Sequence, residues 1–192
     1  MPKIVDHELY RQELLSKCFD LFADKGYGSV TMRQIAKELE VSTGTLYHYF
    51  PSKEALFEQL VEVMSQNDIN QASKEFDGMQ TLQEKAAGIG KYLVKNEDYF
   101  IKWTCIMINF HQHQDAKEFK KSGAFMRANE NYAKAIYDLL GVEDRALAIF
   151  IYSFIDGLIL ERLWGDELVS IPEQCQLLGK VLTAYLEKYQ GG

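Results

Sequence analysis

Thr43, Thr45 and His48 set two hydroxyls and an imidazole on a short helical segment, with Gly44 among them. These groups donate and accept hydrogen bonds but carry little charge. That is the set a helix needs to read base edges in a DNA groove, threonine meeting a base or the thymine methyl and histidine donating to guanine N7 or O6. Gly44 either lets the backbone approach the DNA or eases the helix start. Thr31, Arg33, Tyr47, Tyr49 and Lys53 flank the face and suit phosphate contacts, which fix register but carry no sequence information. The bland alternative is a solvated helix surface, with Tyr47 packed.

The elements that must hold this face are legible around it. Thr31–Leu56, TMRQIAKELEVSTGTLYHYFPSKEAL, reads as two short helices joined by a tight turn and followed by the start of a third. Upstream, Leu15, Cys18, Phe19 and Phe22 fall at helical spacing between His7 and Lys25, and Gly26 is expected to end that helix as a left-handed cap. Thr31 and Gln34 form a capping-box pattern, and Ser42 stands where it would cap the next helix. Ile35, Ala36, Leu39, Val41, Leu46 and Phe50 make the inward face. Pro51 stops the reading helix, and Ser52 caps a long helix to about Glu75. Beyond Gly78 the pattern predicts helices at 81–95, 97–112, 115–140, 144–164 and 171–189. Ser170 and Glu173 form a second capping box there.

The bulk numbers bound the classes. The 192 residues, 47% of them hydrophobic, suffice for one extended or two small domains. No apolar run reaches membrane-spanning length, the start lacks the apolar stretch of a secretory signal, and the expected location is cytoplasmic. Cys18, Cys105 and Cys175 are odd in number and widely spaced, as for reduced core thiols. The net charge of −7 opposes phosphate binding at first sight. Yet residues 61–192 hold fourteen Lys/Arg against nineteen Asp/Glu, so most of the acid lies away from the reading segment.

Leu147–Leu163 is apolar almost all round, and Leu177, Leu178, Val181, Leu182, Tyr185 and Leu186 form a broad stripe on the last helix. Two readings stand, an ordinary bundle core or a two-fold interface through Phe150, Phe154, Leu158, Leu178, Val181, Leu182 and Tyr185. The reading helix upstream favours the second, since such readers engage two half-sites as dimers. Asp156, inside the apolar run, needs a partner from another helix, a second copy or a ligand. Asn109 is the other polar residue in an apolar run. His111, His113 and Asp115 suggest a metal, but only His111 and Asp115 share a helix face and no fourth ligand lies near, so no metal or cofactor is expected.

The pattern of Phe22, Gly26-Tyr27, Val30-Thr31, Arg33, Ile35-Ala36, Leu39, Val41-Ser42, Gly44, Leu46-Tyr47, Tyr49-Phe50, Ser52-Lys53 and Leu56 resembles the TetR family of bacterial transcriptional regulators. The resemblance covers about the first quarter of the chain. Tyr49 departs from it, standing where the family often has histidine. The resemblance implies an all-α protein: a three-helix helix-turn-helix DNA-binding domain, 1–52, then a larger effector-binding and dimerisation bundle, 53–192. It implies a homodimer on a two-fold double-stranded DNA operator, a non-enzymatic repressor released by a small molecule. The family's effector cavity lies among the central helices, where Trp103, Met107, Phe110, Phe125, Asn109 and Asp156 are the candidates, and the aromatic content suggests a largely apolar effector. A ligand-independent activator or architectural binder shares the same head. A metal-binding protein or enzyme rests only on the histidine run.

Overall fold

The computed structural model describes residues 6–113, 123–141, 144–165 and 169–189, all of them helix, turn or loop. The helices are α1 His7–Lys25, α2 Met32–Glu38, α3 Thr43–Tyr49, α4 Lys53–Glu75, α5 Leu82–Lys95, α6 Glu97–His113, α7 Gly123–Leu140, α8 Arg145–Leu163 and α9 Ile171–Tyr189. The all-α expectation holds for these residues. Asp115 and the expected start of a helix at 115 lie outside them.

Local chemistry starts and stops the N-terminal helices. Asp6 accepts from the amides of Glu8 and Leu9, Thr31 and Gln34 form the reciprocal capping box, and Ser42 Oγ accepts from the Thr45 amide at 2.9 Å. The Ala55 amide donates to Ser52 Oγ at 3.1 Å and so starts α4. Each satisfies amides that a helix start leaves free. Gly26 does take a positive φ of 78°, but its ψ of 144° makes it an extended left-sided turn and not the helical left-handed cap.

Packing divides the chain differently from the boundary at 52/53. One compact unit comprises Met1–Gln66 with Cys105–Asn129, the other Asn67–Thr104 with Glu130–Gly192. The reason is that Leu56, Phe57 and Leu60 of α4 are fully buried in the first unit's core, with Leu15, Cys18 and Phe22 of α1, Ile35 of α2 and Leu46 of α3. Phe110 and Phe125 join the same core: Phe57 stacks on Phe110 at 4.0 Å between ring centroids, and Phe110 on Phe125 at 5.3 Å. Thus α4, α6 and α7 each contribute residues to both units.

In the second unit, α5 and α9 pack closely because Gly179 has no side chain; a Cβ there would lie 3.0 Å from Ala86 Cβ and 3.1 Å from Gln83 Cα. The core gathers Ile89, Leu93, Ile136, Ile151, Leu158, Leu178 and Leu182. This corrects three of the expected interface residues. Leu158, Leu178 and Leu182 are buried within the unit, whereas Phe150 and Val181 are 53% and 50% exposed, with Ile149, Leu177, Tyr185 and Tyr189 also exposed. Phe154 is half-buried. The apolar stripe on α9 that faces solvent is therefore turned by one residue, about 100° around the helix. Cys105 is exposed, unlike buried Cys18 and Cys175. No helix of the described residues is long and apolar enough to cross a membrane.

Candidate functional site

The reading helix α3 is fixed from behind. Leu46 and Phe50 are fully buried, while Gly44, Tyr47 and His48 are exposed and Thr43 and Thr45 half-exposed on the opposite side. Thr45 Oγ1 lies 2.7 Å from Ser42 Oγ, so its hydroxyl is shared with the cap. The face thus presents hydroxyl, imidazole and phenol groups on a helix that cannot roll without exposing Leu46 and Phe50.

The rim is less uniform than its spacing suggests. Thr31 and Arg33 are exposed at the start of α2, although Thr31 also donates to Gln34 Oε1 at 2.8 Å. The Tyr49 hydroxyl sits 2.8 Å from His7 Nδ1, and its ring meets Tyr10 edge-on at 5.6 Å. His7 and Tyr10 of α1 therefore brace the position where Tyr49 departs from the common histidine. No local pattern marks that pairing, since it joins residues forty-two apart.

Lys53 belongs to the frame of the unit more than to its rim. Its ammonium donates to the carbonyls of Val30 at 2.9 Å and Tyr27 at 3.1 Å and lies 4.2 Å above the Tyr27 ring. Partial burial lowers its pKa. Two of its three donors point inward, which leaves one for the phosphate contact expected of it. Lys53→Met is expected to lower unfolding stability by about 1–3 kcal/mol through those lost bonds. The salt slope of DNA affinity should stay unchanged. A flattened slope at unchanged denaturation midpoint would return Lys53 to the rim.

Asn109, Phe110 and His113 of α6 close on the turn before α2. Asn109 Oδ1 accepts the Gly28 amide at 3.0 Å, and Phe110 meets the Tyr27 ring edge-on at 4.7 Å. The His113 Nδ1–H donates to the Asn109 carbonyl at 2.8 Å, and its ring fills the space where a Cβ on Gly28 would stand. Asn109, Phe110 and Phe125 were expected in an effector pocket; they instead hold the first unit together. Met107 also belongs to this unit. Among the described residues no three metal-ligating side chains cluster.

The second unit holds a cavity of about 160 Å³. Of the expected pocket residues, Trp103 and Asp156 line it. Asp68 and Tyr132 also line it, with Tyr132 Oη donating to Asp68 Oδ2 at 2.6 Å. The Tyr132 and Tyr152 rings stack at 5.7 Å, and Tyr152 in turn hydrogen-bonds Asp156. Burial raises Asp68 to about 6, opposed by bonds from Tyr132 and Tyr99. Partial burial raises Asp156 to about 6 as well, opposed by Tyr152, although the residue as a whole is exposed. Asp68 could have been found from sequence: it interrupts the inward series Met64, Asp68, Ala72, Phe76, spaced by four.

Residues 14–60 match the model for bacterial regulatory proteins of the tetR family. The chain is 51% identical over 43 residues to YuxN, an uncharacterized HTH-type transcriptional regulator of Bacillus subtilis, covering 22% of this chain and 15% of that protein. It is 41% identical over 51 residues to the HTH-type transcriptional repressor KstR2 of Mycolicibacterium smegmatis, covering 27% and 25%. The chain thus spans about a quarter or less of the length of these curated relatives. The crystal structure of the regulator FadR from Bacillus subtilis, in complex with stearoyl-CoA, aligns with a TM-score of 0.67 over 89% of this chain and 96% of that one, at 16% identity. At that identity the likeness is one of fold.

Proposed function

We propose, from the premise that this chain belongs to the tetR family of bacterial regulatory proteins, that it is a sequence-specific DNA-binding transcriptional regulator, a homodimeric repressor released from its operator by a small effector. The observation that carries the reading is α3, with Thr43 and His48 outward and Leu46 and Phe50 fully buried behind them. Thr43, Gly44, Thr45 and His48 then meet bases, while Thr31, Arg33, Tyr47 and Tyr49 meet phosphates.

The effector part rests on the cavity and on α6. That helix carries Trp103 and Thr104 of the cavity lining and, one to three turns on, Asn109, Phe110 and His113 beneath the Gly28 turn. A ligand that displaces α6 has a continuous element through which to disturb the DNA-binding unit. The stearoyl-CoA of Bacillus subtilis FadR carries phosphates, and none of the described residues lining this cavity is basic. This lining favours an effector of another class. The dimer rests on the exposed stripe of Leu177, Val181, Tyr185 and Tyr189 with Ile149 and Phe150, an apolar surface that a second copy would cover.

Selection of bound duplexes from a random DNA pool tests the reading. Two-fold symmetric half-sites are expected. Thr43→Ala and His48→Ala should each weaken that site by about 1–3 kcal/mol per lost base contact. Unchanged affinity in both variants would sink the base-reading assignment, and half-sites without symmetry would sink the dimer. Operator affinity indifferent to every cell extract would favour a ligand-independent binder.

A further inference from the structure

The cavity of the second unit carries two carboxyl groups, Asp68 and Asp156, and no Lys, Arg or His among the described residues that line it. Asp68 is 6% exposed, with one oxygen held by the Tyr132 hydroxyl. No ion pair reaches either carboxyl among the described residues; Arg162 pairs with Glu97 at 2.9 Å, and neither is in the lining. The rest of the wall is mainly aromatic and aliphatic, including Phe100, Trp103 and Tyr152, with the hydroxyl residues Ser73 and Thr104. Asp68 is a buried carboxylate without a countercharge, which is costly, whereas Asp156 is exposed; aromatic faces attract cations. A neutral or anionic guest would leave both carboxyls uncompensated.

We propose that this cavity takes a small organic cation, an amine or quaternary ammonium on an apolar body, with Asp68 and Asp156 as countercharges and Trp103 and Phe100 packing against it. This rests on the effector reading above and names the effector's class. The volume of about 160 Å³ resembles the roughly 150 Å³ of an apolar cavity that binds benzene, so the body is of one-ring scale. The titratable groups facing Asp68 are the phenols of Tyr132 and Tyr99, with Tyr92 near; Tyr152 faces Asp156. Both carboxyls titrate near pH 6, so the preference for a cation belongs to the alkaline side of that value.

Benzyltrimethylammonium, its uncharged isostere neopentylbenzene and the anion phenylacetate form the test set. Binding is read by quenching of Trp103 in a Trp164→Phe background, since Trp164 is exposed and outside the cavity. At pH 8 the cation should bind roughly tenfold or more tighter than the isostere and release the operator. Asp156→Asn should weaken the cation by about tenfold while leaving neopentylbenzene unchanged, which also shows that the variant's cavity is intact. At pH 5 the cation's advantage should vanish. Equal or tighter binding of the isostere or of phenylacetate overturns the proposal, as does binding of no probe. Operator binding by the same protein separates the cases: retained, the regulatory reading survives without the cation; absent, both fall.

Discussion

Phe57→Ala is expected to lower unfolding stability by about 3–5 kcal/mol, the cost of deleting a fully buried phenyl ring whose site cannot collapse. Phe57 has no exposed surface. It stacks on Phe110 within 8° of parallel, meets Tyr27 edge-on at 5.0 Å and touches Phe22 and Phe125 at 5.8 and 6.2 Å between centroids. One ring thus joins α1, the Tyr27 turn, α4, α6 and α7. Rigid interiors transmit such a loss instead of absorbing it. Urea denaturation followed by circular dichroism measures the loss, and a change below about 1 kcal/mol would show that the cluster repacks. Because Phe110 also rests on Tyr27, the variant's operator affinity should respond less to any effector, even where it still folds.

What was legible in the sequence is what local chemistry decides. Thr31 with Gln34, Ser42, Ser52 and Pro51 announce their helix ends because caps act within three or four residues. Leu46 and Phe50 could be assigned inward because Thr43, Thr45 and His48 occupy the other side of the same two turns. The stripe on α9 was ambiguous for a physical reason. Leu177-Leu178 and Val181-Leu182 put apolar side chains on two adjacent faces, and spacing alone does not say which face meets α5. Gly179, with no room for a Cβ beside Ala86, settles it. The aromatic residues of α6 failed similarly. Trp103 and Phe110 are seven apart and share a helix face, yet one lines the cavity and the other enters the Phe57 stack. The inward bonds of Lys53 were not legible because its partners are backbone carbonyls, which no residue pattern records.

Asp68→Asn is expected to stabilise the protein by about 2–3 kcal/mol at pH 8 and to leave it unchanged below pH 4. Burial raises the folded-state carboxyl to about 6 from an ordinary 3.8, so between those values the folded chain holds a proton that the unfolded chain has released. The group's contribution is therefore fully present below about pH 3.8 and is lost as pH rises through about 6. Asparagine never ionises, yet its Oδ1 can still accept the Tyr132 hydroxyl that bonds Asp68 at 2.6 Å. Asp156 should follow the same direction more weakly, since it is open to solvent and its charge is screened. Urea denaturation of both proteins at pH 4 and pH 8 gives the difference directly, and an equal effect at both values would locate it in packing. An ionised carboxyl that the fold leaves uncompensated is destabilising until something positive binds beside it. Benzyltrimethylammonium should therefore raise the Tm of the native protein at pH 8 and raise that of Asp68→Asn less.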